Sequence, residues 1–171
     1  MMDRWIEQLM HDVRDGRAAD ITGTRVAGDV SIADRLLNEV IAAKIGAESA
    51  IRDVTNRAEA GRARVTVEVA RPSFLPPLSF VLSVETQPEL PASPVLVLRV
   101  GMMPGVAALL GTGISFMNIM PPGLRLEGDR LFVDIAAVLD DRGYGWLFRY
   151  LRTVHVSFEP GRIVNHVEIE G

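Results

Sequence analysis

The chain of 171 residues has no cysteine and a single lysine, Lys44, against 17 arginines. Without cysteine there is no disulfide framework, no thiolate metal site and no thiol nucleophile. The arginines are scattered among the acids and the net charge is −4. A nucleic-acid partner is thereby disfavoured, because phosphate binding needs a concentrated basic face. Catalytic signatures are equally scarce. GTGIS at 111–115 has no Lys-Ser or Lys-Thr after its glycines and is neither a phosphate loop nor a dinucleotide fingerprint. There is no GxSxG elbow, and no credible Ser-His-Asp set accompanies the serines. These gaps favour a protein that is not an enzyme and carries no cofactor.

One further absence is local. No charge falls between Arg99 and Arg125, across GMMPGVAALLGTGISFMNIMPPG at 101–123. Residues 102–120 match the length of a membrane span. Gly105, Gly111, Gly113, Thr112, Ser115 and Asn118 dilute the apolarity, however, and Pro104 and Pro121-Pro122 bound it tightly. A lone internal span would also divide strands that need a common core. The alternatives are a buried core helix or the wall of an apolar cavity. Met102, Met103, Met117 and Met120 cluster at its two ends, and methionine suits both irregular cores and surfaces that accept variable apolar shapes.

The remaining chain reads as one domain, 1–171, comprising an amphipathic helix at 1–16 and a lobe at 20–170. Trp5, Ile6, Leu9, Met10 and Val13 follow helical spacing interrupted by charge, unlike a secretory signal. The expectation is a cytoplasmic protein whose first helix docks on its own domain or lies on a membrane surface. Strand character runs from Ile21 to Val30. SIADRLLNEVIAAKIG then predicts a helix capped by Ser31, with an apolar stripe of Ile32, Leu36, Leu37, Val40, Ile41 and Ile45. Asp34, Arg35, Asn38 and Glu39 fall outside the stripe.

Period-two alternation predicts strands over 49–57, in RVTVEVA (64–70) and over 78–86, where Leu78, Phe80, Leu82 and Val84 share one face. VLVLRV is apolar on both faces. LRLEGDRLFVDI predicts a hairpin at Gly128-Asp129, WLFRYL a short helix, and the tail a hairpin at Pro160-Gly161. With no regular βαβ alternation, the fold class is α+β with an antiparallel sheet. The tail hairpin places His155 opposite His166, with Glu168 two residues along, a weak candidate for metal binding that lacks a full ligand set. Asp140-Asp141 read as turn residues.

The order of elements in VSIADRLLNEVI (30–41), the strand meander, the uncharged segment, the hairpin LEGDRLFVDI (126–135) and the closing helix and hairpin resembles the tubular lipid-binding superfamily, in particular its small single-lobe bacterial members. The resemblance implies a strongly curved antiparallel sheet wrapped around an amphipathic helix, with a lipid or other apolar small molecule in the groove between them. It implies that Leu36, Leu37, Val40 and Ile41 face the groove, that Leu110, Ile114, Met117 and Met120 line or gate one end, and that Phe80, Leu82, Phe132, Trp146 and Phe148 contribute further walls. Arg99 and Arg125 are the headgroup guesses, although salt bridges to nearby acids suit both. Two other readings stand beside it. One is an interaction module in which 101–123 meets a partner or a second copy as a homodimer, and the other is a small enzyme with a dispersed site.

Overall fold

A computed structural model describes residues 23–44, 51–70, 76–102 and 122–171. The architecture is mostly antiparallel sheet with a few short helices, broadly α+β. Strands β1 (Arg25–Ala33), β2 (Ile51–Glu59), β3 (Arg62–Val69), β4 (Leu78–Thr86), β5 (Val95–Met102), β6 (Leu124–Glu127), β7 (Arg130–Asp134), β8 (Leu151–Glu159) and β9 (Arg162–Glu170) are joined by helices α1 (Asp34–Lys44) and α2 (Ile135–Asp141) and a 3-10 helix (Gly145–Tyr150). One sheet has the order β2-β3-β4-β5-β7-β6, the other β1-β9-β8. The predicted hairpins turn where their glycines allow positive φ, at Gly61, Gly128 and Gly161. The register of the tail hairpin pairs Phe158 with Ile163, Val156 with Asn165 and His155 with His166, as its alternation predicts.

Two features depart from the sequence reading. Ser31 does not cap the helix, because pairing of β1 with β9 continues through Ala33 and the helix begins at Asp34. A second helix, α2, occupies IAAVLDD, with the Asp134 side chain accepting from the Ala137 N–H. Strands β5 and β6 are not hairpin partners. Both run antiparallel to β7, and hence parallel to each other. Gly123 makes the turn into β6 possible: its φ is +86°, and a Cβ there would lie 2.8 Å from Val138 Cγ2.

The core lies where the two sheets meet. Ala63, Leu96, Leu98, Val156 and Phe158 form one buried cluster, flanked by Leu82, Val84, Leu131, Val133, Val154 and Ile163. A second cluster of Val67, Val69 and Leu78 is flanked by Ile51, Val54, Val65 and Phe80, all of them residues of the larger sheet. Strand β8 crosses the end of that sheet. The Gly61 N–H donates to the Phe158 carbonyl and the Gly161 N–H to the Ala58 carbonyl, each at 3.0 Å, tying the two hairpin tips together. Further along, the Gln87 carboxamide donates to the Val156 carbonyl at 2.7 Å and accepts from the Val156 N–H at 3.0 Å. A side chain thus makes both hydrogen bonds that a neighbouring strand would make at that residue.

Candidate ligand-binding surface

Helix α1 is attached to the larger sheet through polar groups. Asp34 accepts from the Ala58 N–H and from Asn56 Nδ2, both at 2.8 Å. One turn later, Asn38 accepts from the Asn56 N–H at 2.6 Å and donates to the Asn56 carbonyl at 3.0 Å. Asp34 and Asn38, which fall outside the apolar stripe, therefore face the protein and occupy the edge of β2. The stripe itself is divided. Leu37 and Ile41, one turn apart beside the polar contact, are half-buried. Leu36 and Val40, turned further round the helix, are 54% and 48% exposed.

The strand leading into this helix has a matching apolar row. In β1, Ile32 pairs with Ile163, which packs on the main core cluster. Side chains alternate along a strand, so Val26, Gly28 and Val30 lie on that same core side of the smaller sheet. Yet Val26 and Val30 are 61% and 54% exposed. Four large apolar side chains on two consecutive elements thus remain in water. The valines carried no earlier signal because their strand is interrupted by Gly28.

The other predicted site residues lie in different settings. Phe80 and Leu82 are half-buried on the core side of the larger sheet, each against one of the two clusters. Phe132 is on the opposite face, paired with Val97 and Arg125. The Arg125 guanidinium lies 5.0 Å from its ring centroid and 2.8 Å from Glu127. That face opens into a cavity of about 330 Å³ lined by Val95, Gly123, Leu124, Arg125, Phe132, Asp134 and Ala137. Trp146 and Phe148 are half-buried in the 3-10 helix. Leu110, Ile114, Met117 and Met120, and the helix predicted at 1–16, lie outside the described residues. Another opening, of about 390 Å³, lies between Asp34 and the tied hairpin tips.

The charged groups are largely committed to one another. Arg99 and Arg130 bind the two oxygens of Glu85 at 3.0 and 2.8 Å. The hydrogen bond from Arg99, with that from Arg130, holds the Glu85 carboxyl below its ordinary range against a smaller opposing effect of desolvation. Arg62 does the same for Glu59. On the outer face of the smaller sheet, His166 Nδ1 lies 2.7 Å from Asp29. Glu168, the third residue of the metal candidate, is paired with Arg25 and accepts from the Thr153 hydroxyl at 3.3 Å. Among the described residues no group of three or more His, Asp or Glu side chains converges as a metal site. No helix among them is long and apolar enough to cross a membrane.

No family model, curated protein or solved structure matches this chain.

Proposed function

We propose that the protein binds a lipid or another apolar small molecule without transforming it, on the surface formed by β1 and α1. The observation that carries this reading is the exposure of Val26, Val30, Leu36 and Val40 on adjoining elements, two of them on the core side of their sheet. Large apolar side chains scattered singly over a surface need no explanation, whereas four on two consecutive elements are read as one binding surface. In this reading the sheets curve about α1, and Leu37 and Ile41 form the floor on which Leu36 and Val40 stand. Binding is driven by withdrawal of hydrocarbon from water, at about 0.8 kcal/mol for each methylene covered. Arg99 and Arg125 contribute little to a headgroup site, since each already holds an acid.

The test uses 1-anilinonaphthalene-8-sulfonate as a fluorescent probe and palmitate as its competitor. The wild-type chain is expected to enhance the probe's fluorescence and to lose that signal to palmitate. Leu36→Asp and Val40→Asp are expected to weaken binding at least about tenfold, the effect of losing roughly 1.4 kcal/mol. Both positions are exposed, so the far-ultraviolet circular dichroism should be unchanged. A wild type that binds neither molecule, or variants that bind as well as wild type, would overturn the reading.

A further inference from the structure

We infer that β1 is a dimerisation edge, at which two copies of this chain join their smaller sheets into one antiparallel sheet of twice the width. The inference concerns backbone groups and stands apart from the proposed ligand.

Among the described residues β1 pairs with β9 along one side only. The hydrogen bonds that extend this ladder at both ends show which residues face β9. The Gly171 N–H donates to the Thr24 carbonyl, and the Asp34 N–H donates to the Gly161 carbonyl, each at 3.0 Å. Backbone polar groups alternate from side to side along a strand. With no register shift between, Thr24, Val26, Gly28, Val30, Ile32 and Asp34 direct theirs toward β9. Arg25, Ala27, Asp29, Ser31 and Ala33 therefore direct theirs outward. Among the described residues nothing pairs with this outward row, and all of β1 except Ile32 is exposed.

Other edges of the molecule are treated differently. The edge of β2 is occupied by Asp34 and Asn38, and that of β8 by Gln87 at Val156. The remaining edge among the described residues, β6, is only four residues long. Strand β1 is nine residues long and contains no proline, and its two charged residues, Arg25 and Asp29, are drawn onto β9 by Glu168 and His166. A long edge without such blocking devices is a template for another strand.

The occupant follows from self-complementarity. A two-fold axis at Gly28 brings Gly28 opposite Gly28 of the second copy. It pairs Val26 with Val30 of the second copy, and Val30 with Val26, at non-hydrogen-bonded positions where side chains approach most closely. The outward groups of Ala27 and Asp29, and of Arg25 and Ser31, then meet as hydrogen-bonded pairs. An axis at Asp29, the midpoint of the strand, would instead oppose two carboxylates. The glycine permits the close central approach, and a Cβ built there meets nothing within 4 Å in the single chain. Edge pairing uses backbone groups and leaves the side-chain faces open, so four valines would form a continuous row between the two α1 helices.

Sedimentation of the full chain across a concentration series tests this directly. The expected result is a species of twice the 18.7 kDa chain mass that gives way to monomer on dilution. Ala27→Pro removes an outward N–H and none that faces β9, so it should run as a monomer at every concentration with its circular dichroism intact. The absence of native cysteine allows a second measurement that does not depend on the proline variant folding. Under mild oxidation Gly28→Cys should give a reducible covalent dimer and Ala27→Cys should not. A wild type that remains monomeric throughout, as it would if another segment of its own chain covers this edge, overturns the inference. So does a Gly28→Cys chain that fails to cross-link.

Discussion

The edge of β2 and the edge of β1 differ in what satisfies them. At β2, Asp34 and Asn38 reach across from α1 and bond the backbone at Asn56 and Ala58. At β1 the corresponding groups belong to exposed residues and, among the described residues, have no partner. The contrast follows burial. Asn56 is 5% exposed and Ala58 is 3% exposed, so an unpaired N–H there would be stranded without solvent. The exposed groups of β1 bond to water at no comparable cost, which leaves them available for exchange with another strand. Polar residues in the helix thus close one edge, and their absence keeps another open.

The largest effect that would break this contrast is expected from Asp34→Ala. It removes the acceptor for both Asn56 Nδ2 and the Ala58 N–H. A hydrogen bond to a charged group contributes about 1.5–3 kcal/mol, so a loss of about 3 kcal/mol is expected. The urea midpoint should fall with the denaturant slope unchanged. A cost no greater than the roughly 0.5 kcal/mol of an ordinary surface substitution would mean that the lock on β2 does nothing for stability.

A smaller effect is expected at β8. Gln87→Ala leaves the N–H and carbonyl of Val156 without their partner, at a cost of about 1–2 kcal/mol. Gln87→Glu keeps the acceptor but loses the donor and should fall between. Hydrogen exchange at the Val156 amide reports the same loss locally, without requiring the whole chain to unfold. If β8 needs no lock, Val156 will exchange in Gln87→Ala as it does in the wild type.

The strands were legible in the sequence because their signal is local. Leu78, Phe80, Leu82 and Val84 alternate with Ser79, Val81 and Ser83, of which Val81 alone is apolar, and Pro160-Gly161 fixes the register that faces His155 with His166. The locks were not legible. Asp34 and Asn38 have the spacing of a solvated helix face, and only the approach of β2, some twenty residues later, gives them a different role. Gln87 looks like the end of a strand until β8 arrives from the far end of the chain. The return of the tail to β1 is equally non-local, and it is what draws Ser31 into a strand and delays the helix to Asp34. The candidate surface was half visible. Leu36 and Val40 stand out in the helical stripe, whereas Val26 and Val30 become unusual only once their neighbours on that face, Asn165, Val167 and Ile169, are known to be half-buried.

The smallest predicted effect distinguishes a lock of neutral amides from a lattice of exposed charges. On the outer face of the larger sheet, Glu85 holds Arg99 and Arg130, and its carboxyl is lowered from the ordinary 4.5 chiefly by the Arg99 hydrogen bond. A carboxylate that binds its proton less tightly in the folded state adds stability at any pH above its unfolded value. That addition fades as pH falls through the lowered folded value, because protonation then releases both arginines. The gap in melting temperature between wild type and Glu85→Gln should therefore be widest near neutrality. It should close on acidification through and below 4.5, and narrow with added salt at neutral pH. The gap caused by Gln87→Ala contains no titrating group and should stay constant over the same range. These outer-face pairs are exposed, so even their full contribution should be smaller than the loss at Asp34. A Glu85→Gln gap that persisted in acid would show that Glu85 acts through packing and hydrogen bonding rather than through its charge.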